Sequence, residues 1–155
     1  MECPLCLRRI HFLIRNYLSY FDPIMNQSLV QISLLVDDYD RAIRYYCDTL
    51  KFQLLEDTVL SPEKRWVVVK PAGEGACRIL LARAANEEQQ GRIGNQTGGR
   101  VFLFLHTDDL MRDWENLNHH GVRIVRPPAQ EAFGKVLVFE DLYGNLWDLI
   151  EPVKI

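Results

Sequence analysis

Apolar and polar side chains alternate over residues 30–36, with Ile32, Leu34 and Val36 on one side and Gln31, Ser33 and Leu35 on the other. That period of two predicts a strand with one buried face. The pattern then switches to helical spacing over 39–50, behind Asp37 and Asp38, whose carboxylates suit the exposed backbone donors and positive pole of a helix N-terminus. Strand-like runs over 52–59, 65–70 and 77–82 follow, separated by Ser61, Pro62 and Glu63 and by Ala72, Gly73, Glu74 and Gly75. The same order returns over 101–152. A strand at 101–107 leads through Asp108 and Asp109 into a helix over 110–120, then into strands at 122–125, 135–140 and 146–150, with Tyr143, Gly144 and Asn145 as the last turn.

A repeat of roughly 70 residues is too long for a solenoid and suits two duplicated units that share an interior. The prediction is therefore an α+β domain of two tandem βαβββ units, 29–83 and 100–152, joined by a polar linker at 84–99 that carries a short helix over 86–93. Together they make a single domain spanning 25–155. Trp66, Trp114 and Trp147 are expected in the core, with Trp66 the best placed to line a pocket, and Cys47 and Cys77 are expected as buried apolar filler.

Residues 1–24 stand outside the repeat. Leu7, Ile10, Leu13, Ile14, Tyr17 and Leu18 recur at helical spacing, which predicts an amphipathic leader helix. Arg8, Arg9, His11 and Arg15 interrupt any apolar run long enough for a membrane span. Cys3 and Cys6 form a single C-x-x-C without the second ligand pair that a zinc site needs.

Composition adds bounds. The 155 residues are 48% hydrophobic and 25% charged, within the range of one globular domain. A formal net charge of −3 gives no basic field to attract a phosphate backbone, so neither a nucleic-acid nor a membrane partner is expected. The sequence shows no export signal, and a cytoplasmic location is the expectation.

The paired units resemble the vicinal oxygen chelate superfamily of glyoxalases, bleomycin resistance proteins and extradiol dioxygenases. The resemblance is carried by the opening Gln31, Ile32, Ser33, Leu34, Leu35, Val36, Asp37 and Asp38, by Tyr45, Tyr46, Leu50 and Phe52, and by the closing run from Phe139 to Leu149. It implies an open, curved mixed-sheet barrel with helices outside, a small-molecule ligand inside, and a homodimer completed either within or between chains. Metal-dependent relatives would place their ligands at the positions of Gln31, Leu80, Phe102 and Asp148. Only Gln31 and Asp148 carry donor oxygens, so no metal of the usual kind is expected, and no other cofactor is assigned.

If alternation holds, the interior receives Gln31, Ser33, Arg78, Leu80, Phe102, Phe104, His106, Asp148 and Ile150. An apolar wall with a few polar heads is the usual make-up of a small-molecule site. Asp148 is the candidate general base, assisted by His106 or Gln31, with Arg78 beside it to pair with its carboxylate or to clamp an anionic ligand. Gln31, Ser33, Trp66, Arg78, Phe102 and Phe104 are the candidate ligand-binding residues. Three functions remain open at this point: a metal-independent lyase or isomerase, a non-catalytic protein that sequesters a drug or metabolite, and a metal-dependent lyase or dioxygenase.

Overall fold

The computed structural model describes residues 26–75 and 77–154; the leader at 1–24, with Cys3, Cys6 and His11, lies outside the described residues. Two units follow one another in the expected order. The first consists of β1 (Gln31–Val36), α1 (Tyr39–Arg44) continued by a π-helical turn (Tyr45–Thr49), β2 (Gln53–Ser61), β3 (Lys64–Lys70) and β4 (Arg78–Arg83). After a short linker helix α2 (Glu87–Gln90), the second consists of β5 (Val101–His106), α3 (Leu110–His119), β6 (Ile124–Glu131), β7 (Gly134–Glu140) and β8 (Leu146–Pro152). Each forms a four-stranded mixed sheet, ordered β1-β4-β3-β2 and β5-β8-β7-β6, with the outer pair parallel and the hairpins antiparallel. Neither sheet closes on itself.

The aspartates cap as expected. The Asp38 side chain accepts from the Arg41 amide at 2.7 Å, and Asp109 accepts from the Arg112 amide at 3.1 Å. Asp37 and Asp108 hold Arg41 and Arg112 one turn on.

Each sheet turns one face to a common core. Leu34, Val36, Val67, Val69, Ile79 and Leu81 of the first meet Leu137, Phe139, Trp147 and Leu149 of the second in one cluster, together with the helix residues Ala42, Tyr46, Leu110 and Leu117. The fully buried Trp147 stacks on Phe139 and meets Tyr46 and Phe52 across the junction of the units. Trp114 packs partly against this cluster.

The main fastening between the units is Asp141, which is 6% exposed. Its carboxylate accepts from the Tyr46 hydroxyl at 2.8 Å, the Trp147 indole at 3.1 Å, the Asn145 amide and side chain, and the Tyr143 amide at 2.9 Å. A buried charge is tolerable only when its lone pairs are met in this way. The π turn bears on this: residues 45 and 46 are adjacent, yet Tyr45 reaches the Glu140 carbonyl and Tyr46 reaches Asp141. The expected single α-helix over 39–50 is thus widened in its second half.

Other departures are local. β6 starts two residues after its expected start and ends six residues past its expected end, because one register shift before Arg126 and a second spanning Pro127 and Pro128 let an edge strand carry prolines. Cys77 lies before β4, where its thiol donates to the Arg78 carbonyl, so it is not core filler, whereas Cys47 does pack against the core. The linker does more than connect. Its Gln96 amide accepts from the Leu35 N–H at 2.5 Å and donates to the Ser33 carbonyl at 3.3 Å, occupying the free edge of β1 as a neighbouring strand would.

Candidate functional site

Because both sheets give one face to the same core, their other faces turn away from it. Register pairs place Gln31 beside Arg78, and Ser33 beside Leu80, on the open face of the first sheet. Leu80 lies opposite Val68 on β3, and Trp66, two residues from Val68, shares that side and is half-buried. On the second sheet Phe104 lies beside Asp148, His106 beside Ile150, and Val138 on the other side of Asp148. Val68, Val136 and Ile150 are buried without belonging to the core cluster, so they form the shielded floors of these open faces.

The residues expected inside the barrel therefore fall on two separate sheet faces within one chain. Gln31, Ser33, Trp66 and Arg78 belong to one sheet, and Phe104, His106 and Asp148 to the other. No hydrogen bond or ion pair joins the sets among the described residues. Arg78 is not the partner of Asp148. The positive charge acting on Asp148 is Arg126 on β6, across β7 in the same sheet. Sequence alternation finds which residues share a face but cannot tell whether two faces look at each other.

Phe102 departs from its expected place. A register shift between Val101 and Leu103 interrupts the alternation of β5, and Phe102 packs against the core rather than beside Phe104. Phe104 is 65% exposed.

Asp148 is the chemically distinctive group. Its Oδ1 is shielded from solvent and has no hydrogen-bond partner among the described residues. Burial pushes its carboxyl above the ordinary value, and Arg126 opposes that shift. His106 is a diagonal neighbour on β5, and no hydrogen bond joins it to Asp148 among the described residues. Asp148 can thus accept a hydrogen bond, or donate one when protonated, to a ligand lying on the sheet.

Of the four positions that match the family's metal ligands, Leu80 and Phe102 carry no donor atom, and Gln31 and Asp148 lie on different sheets of one chain. No cluster of three or more His, Cys, Asp or Glu suited to a metal occurs among the described residues.

A second concavity was not legible in the sequence. It is a cleft of about 930 Å³ between the units, reached from the ends of β5 and β8 and the turns after the π segment and β3. Asp141 and Gln96 were also missed, although Asp141 opens the Tyr143, Gly144, Asn145 turn, where a side chain bonding forward to backbone amides is a recognised turn device.

Comparison with known proteins agrees with the fold. Over 128 residues the chain is 56% identical to an uncharacterised protein of Shewanella frigidimarina (strain NCIMB 400), covering 82% of this chain and 95% of that one. The crystal structure of UcmS2 matches with a TM-score of 0.71 at 27% identity, over 82% of this chain and 99% of that one. TnmS3, an antibiotic binding protein from Streptomyces sp. CB03234, matches with a TM-score of 0.66 at 29% identity, over 83% of this chain and 99% of that one. Residues 28–149 match the Glyoxalase/Bleomycin resistance protein/Dioxygenase superfamily, and to that superfamily the chain belongs.

Proposed function

We propose that the protein binds and sequesters a largely apolar small molecule on its open sheet faces, without a metal, as a homodimer. The observation that carries this reading is Asp148. An unpartnered carboxyl oxygen set beside the exposed Phe104 ring leaves one hydrogen-bonding position and a large apolar contact for a ligand. The likeness to TnmS3 supports the same reading, since that protein is an antibiotic binding protein. So does the absence of a proton-transfer partner in hydrogen-bond contact with Asp148 among the described residues.

The homodimer follows from the two separate faces. A second copy that sets its first sheet against the second sheet of its partner would bring Gln31, Ser33, Trp66 and Arg78 opposite Phe104 and Asp148. It would also cover apolar side chains on the outer strand β2, where Val59 is 71% exposed and Leu60 54%. Calorimetric titration with a panel of polycyclic aromatic antibiotics tests the function, and light scattering after gel filtration tests the assembly. The expected result is a dimer whose ligand affinity falls at least about tenfold in Phe104→Ala, through lost apolar contact, and in Asp148→Asn, through one lost charge-assisted hydrogen bond. Equal affinity in both variants would overturn the reading.

The raised protonation tendency of Asp148 favours one second reading, a metal-independent lyase or isomerase in which this carboxyl takes a proton from the bound molecule. Mass spectrometry of the titrated ligand separates the two: recovery of unchanged ligand supports sequestration, and a chemically altered one supports catalysis.

A further inference from the structure

The cleft between the units shares His106 with the open face of the second sheet but none of the ligand contacts proposed there. Its floor is apolar, formed by Leu50 and Phe52 from the first unit and Leu105, Leu117 and Leu149 from the second. A volume near 930 Å³ is that of a small-molecule pocket rather than a packing defect. Asp148, Phe104, Gln31 and Arg78 do not line it.

Charge at the rim is unequally satisfied. Asp108 and Asp113 are both held by Arg112 at 2.8 Å, and Glu151 accepts from the Leu110 amide at 2.9 Å and from Lys135 at 3.0 Å. Arg112 alone cannot offset both aspartates, and the charge of Lys154 acts on Asp108 as well. Lys51 is different: it has no carboxylate partner among the described residues, and its ammonium donates to the Asp48 carbonyl at 2.6 Å.

Lys51 is also the one non-glycine residue among the described ones with positive φ, 60°. The same helix-ending position in the second unit is Gly121, at φ 67°. A side chain in the left-handed region costs about 1 kcal/mol relative to glycine, so a lysine at this turn is kept against local preference. That cost sits at the mouth of a cleft, where strained residues are often functional.

From the apolar floor and the Lys51 ammonium, which has no carboxylate partner among the described residues, we propose that the cleft is a second ligand site, for an amphipathic monoanion with a hydrocarbon body and a single carboxylate or sulfonate head. The body would lie along Phe52 and Leu105, and the head would be held by Lys51.

Dodecanoate is a suitable probe, with dodecanol as its uncharged counterpart, measured by calorimetric titration of the full chain. Saturable binding of dodecanoate is expected, with dodecanol and the Lys51→Gly variant each weaker by about tenfold, the loss of one charge-assisted contact. Lys51→Gly is safe for folding because glycine accepts the turn without strain, and its melting temperature checks this. Phe104→Ala and Asp148→Asn are expected to leave dodecanoate affinity within about twofold. The proposal is overturned by no saturable binding below about 1 mM, by equal affinity in Lys51→Gly, by dodecanol binding as tightly as dodecanoate, or by loss of binding in Phe104→Ala.

Discussion

The two units share strand order and differ where their turns meet the rest of the molecule. Both helices end by returning a backbone amide to an earlier carbonyl. In the second unit Val122 N–H bonds the Leu117 carbonyl, five residues back, and in the first Phe52 N–H bonds the Tyr46 carbonyl, six back. The extra residue is the π widening. The turns joining the last two strands differ more. Asp141 to Asn145 is tied to the first unit by Tyr46, and by Tyr143, whose hydroxyl donates to Asp37 at 2.8 Å; in the corresponding turn after β3 residues 72–75 are exposed, and Pro71, Ala72 and Gly73 border the cleft. Duplication fixed a shared topology, and the chemistry then diverged at the turns. One turn became a fastening, and its counterpart became part of a cleft wall.

The sharpest way to break that asymmetry is Asp141→Ala. It leaves the Tyr46 hydroxyl, the Trp147 indole and turn amides without an acceptor, and a loss of about 3–5 kcal/mol in urea unfolding is expected. A loss under about 1 kcal/mol would show that the turn does not fasten the units. Gly94→Ala tests the same junction from the linker side, because its β-carbon would collide with the Tyr143 carbonyl at a positive φ of 76°. A fall of about 2 kcal/mol or more is expected by the same measurement. Tyr46→Phe removes one donor from a carboxylate that keeps the others, so a loss of about 1–3 kcal/mol is expected.

Lys51→Gly probes the opposite turn and should raise stability by up to about 1 kcal/mol, making the first unit resemble the second at Gly121.

The last effect is the smallest and depends on pH. Because Asp148 binds its proton more tightly in the folded chain than in the unfolded one, folding is opposed by its ionisation above the unfolded carboxylate range. Stability contributed at this site therefore rises as pH falls through its folded titration. Asp148→Asn should leave the melting temperature equal or slightly higher at pH 7, with the difference from the parent shrinking as pH falls towards about 4. A large loss of stability at pH 7 would show that Asp148 has a structural partner.

Sequence patterning by itself determined the two βαβββ units, the capping aspartates, the core face of each sheet and the resemblance to the superfamily. These depend on local periodicity and capping chemistry, which a chain expresses over a few neighbouring residues. It also put Ser33, Leu80, Phe104 and Asp148 on the side of their strands away from the core, since strand alternation survives unless a bulge intervenes, as it does at Phe102. Only tertiary structure decided that the two open faces are separate within one chain, that Arg126 rather than Arg78 acts on Asp148, and that Gln96 covers the edge of β1. Those facts depend on how one unit is rotated against the other. The rotation is set by long-range partners such as Tyr46 and Asp141, 95 residues apart, and no local periodicity encodes it.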